Sequence, residues 1–144
     1  MTSYFPVVIH HNGDCATSRN VVEIVRAAGY TPEIIEYLTV GWTRAQLLAL
    51  FAASGLTARA ALRESKSPAA DLGLLDVGVS EETLLEAMIA HPILVNRPIV
   101  ATPKGVKLCR PSETVLNLLE RWPAGPLFKE DGGVIIDADG RRAG

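Results

Sequence analysis

The chain has 144 residues, 48% of them hydrophobic and 21% charged, with a formal net charge of -2. That length fits one domain, residues 1–144, able to bury roughly two thirds of its unfolded surface. The charge balance excludes a global basic field for nucleic acid or anionic lipid, and no stretch approaches the roughly 20 apolar residues of a membrane span.

No secretory leader is evident, and on these grounds together neither a nucleic-acid nor a membrane partner is expected. Two cysteines, Cys15 and Cys109, are too few for a disulfide scaffold or a four-thiolate zinc site. A reducing, cytoplasmic setting is the default reading.

In chain order, YFPVVIHH reads as a short buried strand ending at the NGD turn signal. TSRNVVEIVRAAG carries Val21, Val22, Ile24, Val25 and Ala28 at helical spacing and stops at Gly29. TPEIIEYL, with apolar residues at 34, 35, 37 and 38, predicts a second strand. TRAQLLALFAASG opens with Thr43 and Gln46 in a capping-box spacing and predicts a helix to Gly55, with Leu47, Leu48, Leu50 and Phe51 as its core stripe. TARAALRES predicts another helix, as does SEETLLEAMIAH with Ser80 as its N-cap. RPIVATPKGVKLCR reads as a hairpin about PKG, PSETVLNLLERW as a helix, and VII near the end as a strand between turns. Strand-helix-strand, a helical middle over about 43–91, then hairpin and helix gives an α/β chain: a thioredoxin-like βαβ…ββα core with a helical insertion.

The chemistry concentrates in IHHNGDCATSRN. Cys15 falls between the first strand and the first helix, where unsatisfied N–H groups and the positive helix end favour a thiolate. Thr17 and Ser18 add hydroxyls, Arg19 adds a fixed charge, and His11 is placed to hold a thiolate through an imidazolium. A small buried hydrophobe is the competing reading of a lone cysteine. Asp14 pulls against ionisation.

Spacing removes three other chemistries. A phosphatase-type loop needs an arginine six residues after the cysteine, where Val21 stands. A dithiol motif needs C-x-x-C, and the sequence has C-A-T-S, so local chemistry is monothiol. His10, His11, Cys15 and His91 lack the usual ligand spacing, so no metal is expected. Arg63, Arg97 and Arg110 fall at joints between elements, two directly before proline. Arginine forks match tetrahedral oxyanions, although each taken alone also reads as a solvated charge.

At these segments the sequence resembles the glutaredoxin-coupled arsenate reductase family. HNGDCATSRN is similar to its catalytic loop, RAALR to a segment with one anion-binding arginine, and HPILVNRPIVATPKG and LCRPSE to stretches with two more. FKEDGGVIIDADGRR is similar to its C-terminal tail. The resemblance implies a thioredoxin-like fold and Cys15 as nucleophile. It also implies that Arg63, Arg97 and Arg110 bind arsenate, that His11 lowers the cysteine pKa, and that Ser18 and Arg19 belong to the oxyanion-cradling loop. It implies a cis Arg97–Pro98 bond, glutathione as co-substrate, glutaredoxin as partner, and no bound cofactor or metal. The chain departs from the family at Gly13–Asp14, where a proline is usual. Cys109 reads as a strand thiol, with a resolving role open only if it lies near Cys15. Two other functions share the scaffold: a Spx-type regulatory binding protein and a glutathione-dependent thiol transferase. Retention of three arginines and a serine at 18 favours the enzyme over the regulator.

Overall fold

The structure is a computed structural model and describes residues 4–143. The chain forms two compact units, one from the residues up to Ile35 together with those from Arg97 onward, the other from Glu36–Asn96.

The first unit carries β1 (Val8–His11), α1 (Ala16–Ala27), β2 (Glu33–Glu36, its last residue opening the other unit), β3 (Ile99–Thr102) and β4 (Gly105–Leu108). The sheet order is β2-β1-β3-β4. β3 runs antiparallel to both neighbours, with His10 opposite Ile99 and Val100 opposite Lys107. The hairpin turns where the sequence predicts, at Pro103–Lys104. There the Thr102 hydroxyl accepts the Lys104 N–H at 3.1 Å and donates to the Leu118 carbonyl at 2.7 Å. Helical spacing puts Val21, Ile24, Val25 and Ala28 on one buried face of α1, in a core with Ile9, Val100, Val115, Leu116 and Leu118.

Just past the end of α1 stands Gly29, whose φ of +94° is the left-handed value a side chain resists. Arg121 completes that end, donating to the Ala28 and Gly29 carbonyls at 2.7 and 3.0 Å and lying 4.4 Å from the Tyr30 ring centre. A cation among orphan carbonyls is the favourable sign for a helix C-terminus.

One expectation changes here, and another is met. The segment predicted as a helix through Trp122 is a 3-10 helix over Ser112–Leu118 only. It stops because the Glu120 and Arg121 N–H groups donate to the Tyr30 hydroxyl, at 3.0 and 3.1 Å, instead of to a helical carbonyl. The VII strand pairs as β6 (Val134–Ile136) with β5 (Leu127–Phe128), sending Ile135 and Ile136 into the core.

The second unit contains α2 (Tyr37–Val40), α3 (Arg44–Ser54), α4 (Ala58–Ala61) and α5 (Glu81–Ala90). The second strand does not continue through Tyr37 and Leu38. Tyr37 is buried, stacks on Trp42 with centroids 4.9 Å apart, and donates to the Val95 carbonyl at 3.2 Å, contacts that favour a helical turn. The helical unit is therefore longer than the expected 43–91. Thr43 and Gln46 form the capping box, and Ser80 caps α5. Of the expected α3 stripe, Leu47 and Phe51 are core, while Leu48 is 45% exposed.

The helix predicted over TARAALRES ends at Ala61, because Leu62 pairs its backbone with Val95. The Arg63 N–H donates to Leu94 O at 2.8 Å and Asn96 N–H to Ala61 O at 2.8 Å. Arg59 orders the following loop, donating to the carbonyls of Leu74, Asp76 and Val79.

Candidate active site

The turn between β1 and α1 is tied by Asn12. Its side-chain oxygen accepts the Asp14 N–H at 2.9 Å and its carbonyl accepts the Cys15 N–H at 3.0 Å. Cys15 is thereby the N-cap of α1, in extended conformation, with its carbonyl accepting the Arg19 N–H at 3.0 Å. A residue there has the free N–H groups of the first helical turn facing its side chain. No acidic side chain occupies that first turn.

Cys15 is 8% exposed. Burial is the largest influence on its ionisation and opposes it. Against burial act the Ser18 N–H, the charge of Arg97, a hydrogen bond from Arg110 and the Thr17 N–H, and together they hold the thiol below its ordinary pKa. Arg110 Nη1 lies 3.7 Å from Cys15 Sγ and donates to the Arg97 carbonyl at 3.0 Å. The Arg97–Pro98 bond is cis, as is Arg110–Pro111. The first unit thus assembles Cys15, Ser18, Arg97 and Arg110 around one sulfur.

Ser18 is fully buried. Its hydroxyl accepts the Asn12 N–H at 3.1 Å and shares a 2.7 Å hydrogen bond with His11 Nδ1. His11 is therefore joined to the cysteine turn through Ser18. Arg19 is engaged differently from the simple cradle its position suggests. Its Nε and Nη2 bind both oxygens of Glu130 at 2.8 and 2.9 Å, and Nη1 donates to the Gly13 carbonyl at 2.9 Å. The charge of Cys15 still acts on it.

Arg63 belongs to the second unit, where it is 8% exposed and its Nε donates to the Ser65 carbonyl at 3.1 Å. A guanidinium so buried is not an ordinary solvated charge. Cys109 is fully buried, and burial pushes its thiol up to about 12. It is a core thiol. Among the described residues no group of three or more His, Cys, Asp or Glu is placed to hold a metal ion. No helix among them is long and apolar enough to cross a membrane.

Three contributors escape sequence reasoning. Ser112 donates its hydroxyl to the Thr17 carbonyl at 3.1 Å, Glu130 holds Arg19, and Asn20 Oδ1 accepts the Glu130 N–H at 3.1 Å. Only Ser112 has a sequence signal, its place directly after Arg110–Pro111. The other two act across 111 and 110 positions.

A sheet in the order β2-β1-β3-β4 with a thiol of lowered pKa at the start of α1 and a guanidinium against its sulfur defines a protein of thioredoxin-like fold. Residues 10–118 match the ArsC family, and the chain belongs to that family. It is 62% identical over 136 residues to the arsenate reductase ArsI2 of Synechocystis sp., covering 94% of this chain and 97% of that protein. It is 45% identical to an arsenate reductase of Escherichia coli, over 94% of this chain and 96% of that one. Among solved structures, an arsenate reductase from Vibrio cholerae superposes with a TM-score of 0.76 at 34% identity, covering 81% of this chain and all of that one.

Proposed function

We propose that this chain is an arsenate reductase that converts arsenate to arsenite through Cys15. The observation that carries the reading is the Cys15 sulfur, lowered in pKa and met at 3.7 Å by Arg110. Likeness to proteins named arsenate reductase over 94% of the chain supports it. Thiolate and arsenate are both anions and repel one another, so the guanidinium groups have two tasks. They keep sulfur ionised, and they neutralise the oxyanion as it arrives.

The Cys15 thiolate attacks arsenic, forms a sulfur–arsenic bond and expels one oxygen as water, with protons taken from solvent. Arg97 and Arg110 bind the remaining oxygens with the Ser18 turn, Arg19 stays paired with Glu130 beside that turn, and His11 supports the thiolate through Ser18. A glutathione thiolate then attacks the Cys15 sulfur. The sulfur–arsenic bond breaks with its electron pair left on arsenic, which passes from As(V) to As(III), while the two sulfurs become a mixed disulfide. A glutaredoxin thiol exchanges onto that disulfide and restores Cys15. No bound cofactor takes part, and a reducing cytoplasm supplies the thiols. In the cell the activity serves arsenic detoxification.

The test is arsenate-dependent NADPH oxidation with glutathione, glutaredoxin and glutathione reductase. Wild type turns over and Cys15→Ser does not. An inactive wild type with a verified coupling system refutes the reading.

A further inference from the structure

A groove of about 400 Å³ runs beside α1, lined by His11, Arg19, Val22, Glu23, Arg26 and Glu130. That volume lies in the range of small-molecule sites. Residues 19, 22, 23 and 26 are spaced i, i+3, i+4 and i+7, so they share one helix face, and stepping back four residues from Arg19 reaches Cys15. The helix face that lines the groove therefore runs back toward the turn that carries Cys15.

Its lining is of mixed sign. Arg19 and Glu130 are paired to each other and form a neutral wall. Glu23 and Arg26 are exposed and, among the described residues, make no ion pair or side-chain hydrogen bond. One carboxylate and one guanidinium less than a turn apart complement an ammonium and a carboxylate carried on one carbon, the head of an amino acid. A purely anionic or cationic ligand would meet repulsion from one of them.

Distance fits a peptide and not a single amino acid. Eleven helical steps lead from Cys15 to Arg26, about 16 Å along the axis. Helical side chains lean toward the N-terminus, which brings the Glu23 and Arg26 heads several ångströms nearer Cys15. A tripeptide extends about 10 Å. Val22, buried on the same stretch, offers an apolar floor between.

We propose that this groove seats the thiol co-substrate, a small zwitterionic peptide thiol. Its amino-acid head lies on Glu23 and Arg26, and its sulfur is directed toward Cys15. The assignment rests on the reading of Cys15 as a nucleophile whose adduct a peptide thiol discharges.

The experiment titrates S-methylglutathione, which cannot react, into the isotopically labelled full chain. Resonances of Val22, Glu23 and Arg26 shift. Arg26→Gln and Glu23→Gln each weaken binding about tenfold, the usual worth of a charge-assisted contact. In turnover, the KM for glutathione rises with them by a similar factor, more than the KM for 2-mercaptoethanol, which has no charged ends. Absence of shifts along α1 at saturating analogue, or unchanged affinity in both variants, overturns the proposal. Binding at the groove in a protein that does not reduce arsenate supports the groove and refutes the reductase reading. Turnover without groove binding does the reverse.

Discussion

Arg110 meets Cys15 across 95 positions of sequence, one nitrogen serving both the sulfur at 3.7 Å and the Arg97 carbonyl at 3.0 Å. Removing that guanidinium raises the Cys15 pKa, because a cation at the sulfur favours the thiolate. In Arg110→Ala the pH profile of iodoacetamide alkylation at Cys15 moves to higher pH. Arsenate kcat/KM falls about 100-fold, the scale for losing one oxyanion donor. An unmoved profile would show that Arg110 does not act on the sulfur.

Ser18→Ala strips the buried Asn12 N–H of its acceptor and removes the hydrogen bond between Ser18 and His11. A buried donor left unpaired costs about 1–3 kcal/mol. Chemical denaturation reads this as a lower midpoint with an unchanged slope.

His10 is buried, and burial lowers its pKa to about 4. The unfolded chain takes up that proton near its ordinary pKa of 6.5, so the group's contribution is complete above 6.5 and lost as pH falls toward 4. Between pH 7 and 4.5 the linked loss is on the order of 2.5 kcal/mol. Urea unfolding at the two pH values measures it, and His10→Gln flattens the dependence.

Gly125 stands at φ +72°, where an added Cβ would collide with the Ile136 side chain and the Asp137 carbonyl. Gly125→Ala is expected to cost more than about 1 kcal/mol, since strained backbone and overlap add. A thermal melt shows it, and Gly132→Ala serves as comparison, being left-handed at φ +92° with nothing within 4 Å.

Cys109, fully buried and pushed up to about 12, resists alkylation at pH 8 while Cys15 reacts. Mass spectrometry of the singly labelled chain identifies the site. Labelling of Cys109 in the native chain would reopen a redox role for it.

Much of this was readable where information is local. The capping box at Thr43, the cap at Ser80, the stop at Gly29 and the hairpin turn each depend on a few adjacent residues. The errors share another cause. Tyr37 turned helical through Trp42 and Val95, α4 ended where Leu62 paired with Val95, and the last helix stopped at the Tyr30 hydroxyl. Each of those partners is remote or irregular, so periodicity carries no trace of it. The site divides the same way. A helix-start cysteine and arginines before prolines stand out in a string of letters, whereas the grip of Glu130 on Arg19 needs the folded chain.

Cys15 and Arg110 are 95 positions apart, and so are Thr17 and Ser112, which are joined by a hydrogen bond of their own. The two links behave as consecutive rungs between segments that are not strands. A substitution at one rung leaves the other to hold alignment, but a single inserted residue between Gly105 and Arg110 displaces both at once. Length, more than residue identity, is therefore what the β4 arm cannot vary. Extra residues are best accepted at the exposed Pro103–Lys104 tip, beyond the point where the arm's measure begins.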